Sequence, residues 1–456
     1  MNDKMQFIHD YMDIMTRCKT ERQWVVEAER QCIEAGFQAY RPGAVYYPGD
    51  KIYFKNREKN FAAFIVGEAP YFNILGAHID SPRIDIKQKP IYDSNGIAYF
   101  DTHYYGGIKK YQWVTTPLAL IGVVCLKDGT KVNIEIGNKH NGYDMSEDTV
   151  FCITDLLPHL DGKRMSGEHA SEFVKGEGLD IIAAVASKED EDNKDKDSKD
   201  AAVKAKLMKL LKDTYGIEEA DFQSAELELV PAARASFCGF DKSLVAAYGQ
   251  DDRVCAYTSL EALICKAESK NTPKYNIGIV LVDKEEIGSV GATGAESNWF
   301  EYVLRCVNKF RNLSEIEFHE ALMNSNMLSS DVTAAYDPLY ADAYSEHTSA
   351  KLGYGMMLSK YNGARGKCGS NDATPEYIAK IRNHFDKNPE IMYQFDEIGK
   401  VDQGGGGTIA SIYCKFNMNV IDAGVPVLNM HSPMELAHID DIVSAYWCYY
   451  NFLDIV

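Results

Sequence analysis

The strongest constraint on folding is an uninterrupted apolar run, Ile279 to Val282 in IVLVDKEEIGSVGAT, which hands over two adjacent carboxylates, Glu285 and Glu286, before stopping at glycine. A run of this length without polar relief reads as a buried strand. Two like charges at the end of a core strand have two explanations. Either they form an acidic turn in water, or something doubly positive sits beside them.

The rest of the chain indicates what such a strand belongs to. Thr20 and Gln23 fit a capping box, Trp24, Val25 and Ala28 begin an apolar face, and Gly36 suits a helix stop, so the first forty residues are expected to be helical. FAAFIVG (61–67) and NILGA (73–77) are short apolar strands, the second running into His78. A helix is expected from about 252 to 268, with Ala256, Leu260, Leu263, Ile264 and Ala267 on one face, then strands at 276–282 and 418–424. Between these halves the character changes. From about 92 to 170 the segments are aromatic and β-branched, and LALIGVVCLKDGTKVNIEIG reads as a hairpin with Asp128-Gly129 in a tight primed turn. KEDEDNKDKDSKD (188–200) is low-complexity and expected to be a solvated loop, and AAVKAKLMKLLKDTYG after it a helix. At 456 residues the chain exceeds what one core holds. The expected organisation is one α/β domain, 1–91 and 236–456, interrupted by a β-rich domain at 92–235, with no internal repeat.

The formal charge of -19 repels nucleic acid and anionic membranes, so neither is expected as a partner. No run of eighteen apolar residues and no signal-peptide pattern is found, and a cytoplasmic location is expected. Eleven cysteines without a CxxC pair, among them Cys125, Cys265 and Cys414, read as reduced core residues.

Five places where strands end or helices start carry residues able to bind a cation. GAHIDSP sets His78 and Asp80 two apart, pointing the same way on an extended chain, and Asp80 is suited to accept the other ring N–H of a ligating histidine. Taken alone, the pair is better explained by a satisfied structural histidine. YGQDDRVCAY places Asp251 and Asp252 at a helix start, where N-capping is the ordinary alternative. LSSDVTAAYDP offers Asp331, again a ligand or a cap. VPVLNMHSPMELAH brings His431 out of an apolar strand, with Glu435 one helical turn on and His438 beyond. Histidine and carboxylate without cysteine make a mixed nitrogen and oxygen site, suited to zinc or another borderline ion. The surplus of carboxylates argues for two metals sharing an aspartate and a water. Glu286 then ligates a metal, and Glu285, turned toward the water, takes its proton.

In order and spacing these motifs resemble the aspartyl aminopeptidase family of dinuclear zinc metallopeptidases, closest to its bacterial aminopeptidase I branch. YYGGI (104–108), LPHL (157–160) and LSKYNG (358–363) extend the resemblance over essentially the whole chain. It implies an α/β fold, a zinc-peptidase domain whose central mixed sheet is flanked by helices, interrupted by a β-rich dimerisation domain. It implies two zinc ions per chain, with manganese or cobalt as substitutes: Asp251 bridging, Glu286 and His431 on one ion, His78 and Asp331 on the other. Glu285 falls on the general base and Asp80 on the residue orienting His78 and that base. The implied assembly is a homo-oligomer, a dimer building to a tetrahedral dodecamer.

The resemblance departs where substrate is read. The branch acting on aspartate and glutamate carries a WFDRDL-like segment where this chain has QWVTTPL, and LPHLDGK keeps His159 but has Lys163 in place of a second histidine. Lys360, His159 and Gly405 of DQGGGGT are the candidate substrate-binding residues. The expected activity is removal of N-terminal residues from peptides, neutral ones such as leucine and also acidic ones. A dinuclear deacylase of N-acyl amino acids and an inactive assembly protein of the same fold are the alternatives.

Overall fold

A computed structural model describes residues 4–138, 149–187, 199–269 and 271–456. Most of the charged segment at 188–200 lies outside the described residues. The chain divides into two compact units, Met1–Ser81 with Ala235–Met430 and Met434–Val456, and Pro82–Arg234 with His431–Pro433.

The first unit opens with helices Lys4–Arg17 and Glu21–Glu34. Thr20 caps the second through a complete capping box with Gln23, and Gly36 follows its end at φ 86°. A nine-stranded sheet comes next. Its order is Gln38–Ala39, Lys51–Asn56, Asn60–Ile65, Asn276–Val282, Phe72–His78, Asn326–Ser329, Asn419–Gly424, Met356–Ser359, Tyr393–Phe395. Four adjacent strands at its centre, Asn276–Val282 through Asn419–Gly424, are parallel, and antiparallel pairings flank them on both sides, so the sheet is mixed.

Burial on both faces explains the uninterrupted apolar runs. Leu75, Ala77, Ile277, Ile279 and Leu281 pack on one side with Val254, Leu260 and Leu263 of the helix Gln250–Glu268 and with Ile442, Ala445 and Tyr449 of the helix Ile439–Phe452. Phe72, Ile74, Val280 and Val282 pack on the other with Phe300, Val303 and Leu304 of the helix Trp299–Val307 and Phe318 and Leu322 of the helix Glu315–Met323. The two-residue period sends alternate side chains to opposite cores. Each large aliphatic so buried contributes about 1.5–3 kcal/mol.

The register places the carboxyl ends of the parallel strands in a row: Val282 lies beside His78, and Ser329 beside both Gly76 and Asp422. Open sheets of this kind bind ligands outside those ends. A second sheet in this unit has the order Ser236–Cys238, Leu244–Ala247, Glu435–His438, Pro426–Leu428, Thr333–Ala334. Glu435 therefore stands on a strand, not one helical turn beyond His431, and His438 caps the helix Ile439–Phe452.

The second unit is built on a six-stranded sheet, order Lys131–Ile136, Leu118–Cys125, Ala225–Pro231, Arg83–Ser94, Ile97–Tyr105, Ile181–Val185, with antiparallel pairings throughout. The helix Lys199–Tyr215 follows the charged segment as expected. Two expectations are corrected. The first boundary falls at Ser81/Pro82 rather than 91/92, because Arg83–Ser94 pairs with Ala225–Pro231 and Ile97–Tyr105 of this sheet. The hairpin around Asp128-Gly129 closes on a wider loop, Cys125 pairing Lys131; Gly129 at φ 90° donates its N–H to the Leu126 carbonyl, and Asp128 accepts from the Thr130 N–H instead of adopting a left-handed conformation.

All eleven cysteines are free, but Cys125, Cys265 and Cys414 are only partly buried, so they are not core residues. Among the described residues no helix is long and apolar enough to cross a membrane.

Candidate metal centre

Each parallel strand of the large sheet releases its chain at the same edge. His78 is the last residue of Phe72–His78, with Asp80 just beyond; Glu285 and Glu286 form a short turn after Asn276–Val282; Asp331 follows Asn326–Ser329 by two residues. Because Phe72–His78 lies between the other two strands, these three segments converge. Asp251 arrives from the amino end of the helix Gln250–Glu268. Its backbone (φ −79°, ψ 107°) is not helical and Gly249 occupies the capping position, so Asp251 is not an N-cap.

His78 is the hub. Its Nε2 lies 3.2 Å from Asp251 Oδ1 and 3.8 Å from Asp331 Oδ1. Its Nδ1 lies 3.0 Å from the Asp80 carbonyl oxygen and 3.4 Å from the Asp80 carboxylate. Two ligand groups share it, His78 with Glu285 and Glu286, and His78 with Asp251 and Asp331, and within each the donor atoms lie within 4.8 Å of one another. His78, Asp80, Asp251 and Asp331 are buried, whereas Glu285 and Glu286 are partly exposed.

The neighbours hold the ligands in place. The Asp80 carboxylate accepts the backbone N–H of Glu285 and of Glu286, each at 3.2 Å, which pins the acidic turn to the end of the adjacent strand. Asp251 is held on both sides of its peptide: its N–H donates to Glu435 Oε2 at 3.0 Å and its carbonyl accepts from Ser81 Oγ at 2.8 Å. The Asp252 carboxylate accepts the backbone N–H of His78 at 3.3 Å. Asp331 depends on Gly424, where a Cβ would stand 1.9 Å from the Asp331 carbonyl oxygen. Ser81 and Gly424 were missed in the sequence, whereas Asp252 and Glu435 were noted as cation-binding candidates but not as the groups that hold His78 and Asp251. The one local signal is a buried carboxylate, Glu435, at an inward position of the strand ELAH.

The electrostatics ask for a cation. Burial alone would lower the His78 pKa, yet hydrogen bonds to Asp251, Asp331 and Asp80 raise it well above the usual value. Burial raises Asp252 strongly, with Asp331 adding to it. Glu285 is pushed up to about 8 by burial, opposed by His78 and reinforced by Asp331, Asp80 and Asp251. Carboxylates crowded this closely hold protons unless positive charge replaces them. The donors are nitrogen and oxygen only, a set that fits zinc, manganese or cobalt.

The remaining expected residues are placed as follows. His431 is on the loop between Pro426–Leu428 and Glu435–His438, with its Nδ1 3.0 Å from the Gly107 carbonyl oxygen. His159 is exposed in the turn Leu157–Leu160 of the second unit. Lys360 follows the strand Met356–Ser359 and is ion-paired with Asp372. Gly405 adopts φ 123°, and the next residue's N–H donates to the Asn362 carbonyl at 3.1 Å.

An α/β sheet with a buried cluster of histidine and carboxylates at the carboxyl ends of its parallel strands has the donor set of a metal-binding site. Residues 14–453 match the family described as aminopeptidase I zinc metalloprotease (M18). A probable M18 family aminopeptidase 1 from Clostridium acetobutylicum is 46% identical over 452 residues, covering 97% of this chain and 93% of that protein. The crystal structure of an M18 family aminopeptidase from Thermotoga maritima superposes with a TM-score of 0.91 at 41% identity, covering 99% of this chain and 97% of that one. More distantly, the mApe1 dodecamer of S. cerevesiae shares the fold, with a TM-score of 0.75 at 19% identity, covering 97% of this chain and 95% of that one. The chain belongs to the M18 family of zinc metallopeptidases, hydrolases of peptide bonds.

Proposed function

We propose that the chain is a dinuclear metallo-aminopeptidase that removes N-terminal residues from peptides, neutral residues such as leucine faster than acidic ones. The observation that carries this reading is His78 shared between two groups of ligand atoms, with the turn of Glu285 and Glu286 clamped by Asp80 beside it. In this reading His78, Asp331 and Asp251 would hold one ion, and Asp251, Glu286 and His431 the other. His431 precedes by four residues Glu435, the carboxylate that accepts the Asp251 N–H.

Zinc held there would supply Lewis acidity, suited to polarising a carbonyl and lowering the pKa of water. The chain's own part is to move the proton and orient the peptide. Glu285 takes the proton from water and delivers it to the leaving amine. Asp80 keeps Glu285 within reach through its backbone N–H, and a carboxylate of the cluster receives the substrate's free ammonium, which confines cleavage to the first residue. The reading includes a homo-oligomer, with the β-rich second unit as the dimerisation surface and a dodecamer as the full assembly, and a cytoplasmic setting, which the free cysteines support.

The test compares a leucyl peptide with its N-acetylated form in the presence of zinc, manganese or cobalt. The expected result is cleavage of the free peptide and at least a hundredfold slower action on the blocked one. Preference for the acylated form would favour a deacylase, and cleavage of neither an inactive protein.

A further inference from the structure

The acidic turn stands on a loop with a clasp at its foot. Asp283 directly follows the strand Asn276–Val282; its N–H donates to the Thr293 carbonyl at 3.3 Å, and Thr293 Oγ1 donates to Asp283 Oδ2 at 2.6 Å. These two bonds close residues 284–292, Glu285 and Glu286 among them, into one loop. Inside it the Ser289 N–H donates to the Lys284 carbonyl at 2.6 Å, and a Cβ at Gly294 would stand 1.9 Å from the Ser289 carbonyl oxygen. Lys284 takes φ 70°, a left-handed backbone that few residues other than glycine adopt, and its Nζ donates back to Asp283 Oδ2 at 2.6 Å. With that single residue between them, the setting of Asp283 fixes where the chain delivers Glu285.

The clasp is itself pinned from the side. Lys59, in the turn between the strands Lys51–Asn56 and Asn60–Ile65, has its Nζ 2.7 Å from Glu21 Oε1 and 3.7 Å from Asp283 Oδ2. Glu21 and Asp283 are fully buried and Lys59 nearly so. From the same hairpin Asn60 Nδ2 donates to the Thr293 carbonyl, and Asn56 Nδ2 to the Ala292 carbonyl at 2.7 Å. Burial raises the Asp283 pKa and Glu21 and Asp80 add to it, while Lys59 and Lys284 oppose. Taking such charges out of water costs about as much as their attraction gains, so the cluster is a weak source of stability. What it supplies is a fixed place for the loop, which Asp80 holds from the other side through the Glu285 and Glu286 N–H groups.

We propose that the clasp of Asp283 and Thr293, pinned by Lys59, positions the acidic turn of the metal centre, setting Glu286 where a ligand is needed and Glu285 where a base is. Asp283 and Thr293 act through those two carboxylates and are positioning residues. This rests on the metallo-aminopeptidase reading above. Working sites hold their groups to within about 0.5 Å through the residues that support them.

The experiment uses the full-length zinc-loaded enzyme, a leucyl p-nitroanilide, and competition for zinc by a chelator of known affinity. Thr293→Val leaves every charge in place and removes only the hydroxyl; it is expected to lower kcat and zinc affinity about 10- to 100-fold each, with KM within about twofold of wild type. Thr293→Ser, which keeps the hydroxyl, is expected to recover most of both losses. Packing alone would give the opposite order, since valine fills the threonine space better than serine. Asp283→Asn loosens the clasp from its other side and is expected to move kcat and zinc affinity in the same direction; it decides the question if Thr293→Val fails to fold by circular dichroism. Wild-type kcat or wild-type zinc affinity in folded Thr293→Val or Asp283→Asn, or Thr293→Ser no better than Thr293→Val, overturns the proposal. Wild-type turnover is read alongside: unaltered variants of a protein that cleaves the leucyl substrate count against the clasp alone. A wild type that cleaves nothing removes the aminopeptidase reading, and zinc affinity then decides the clasp by itself.

Discussion

Glu285 shows what a residue's surroundings decide. In the bare cluster, burial and the carboxylates of Asp331, Asp80 and Asp251 push it up to about 8 against the opposing effect of His78, a value at which it keeps its proton at neutral pH. Divalent charge beside it reverses that balance and frees it to act as a base. Glu285→Gln is expected to retain the full metal complement by elemental analysis while kcat on a leucyl peptide falls by about two to four orders of magnitude, the usual share of a general base. Near-normal turnover in that variant would assign the proton transfer elsewhere. At this scale the sequence was informative about identity and less so about roles. Two-residue spacing put His78 and Asp80 together, but the Asp80 carboxylate holds the backbone of Glu285 and Glu286, 205 and 206 residues away. No local pattern encodes a bond that long in sequence.

Elements were legible where a period governs them. The helix Gln250–Glu268 and the strands Phe72–His78 and Asn276–Val282 follow from apolar spacing, because burial against two cores writes that spacing into the chain. Turns and very short strands were not, since a few hydrogen bonds decide them: the Asp128-Gly129 turn opened wider, and ELAH became a strand by pairing with Leu244–Ala247 and Pro426–Leu428. The helix Gln250–Glu268 also carries a pH-sensitive position away from the metal cluster. Burial raises Glu261 to about 7, with Asp10, Glu268 and Glu27 adding to it and Arg30 opposing. Its folded pKa thus exceeds the unfolded value of about 4.3, so the native state binds the extra proton between about pH 4.3 and 7. The favourable contribution is present below that window and is lost as pH rises through 7. Glu261→Gln is expected to stabilise the protein by about 1–3 kcal/mol at pH 8 and by close to nothing at pH 4.5, read from urea midpoints at the two pH values. Equal effects at both would show that Glu261 titrates normally.

For the molecule as a whole, the interruption of an α/β unit by a β-rich one was visible as a change in composition. Its first boundary was misplaced by ten residues because Arg83–Ser94, with its Lys-Gln-Lys-Pro stretch, gives no apolar contrast and declares its sheet only through Ala225–Pro231, far along the chain. The family and fold were readable because segments distant in sequence each kept a chemically specific fragment of one pattern. The formal charge of -19 acquires local meaning there, since the cluster gathers carboxylates that either hold protons or exchange them for cations. The most direct measurement is a zinc titration of chelator-stripped protein, following hydrolysis of an N-terminally free leucyl peptide. The account predicts that activity vanishes on stripping and returns to a plateau at about two zinc ions per chain. Full activity in stripped protein, with no transition metal found by elemental analysis, would contradict it.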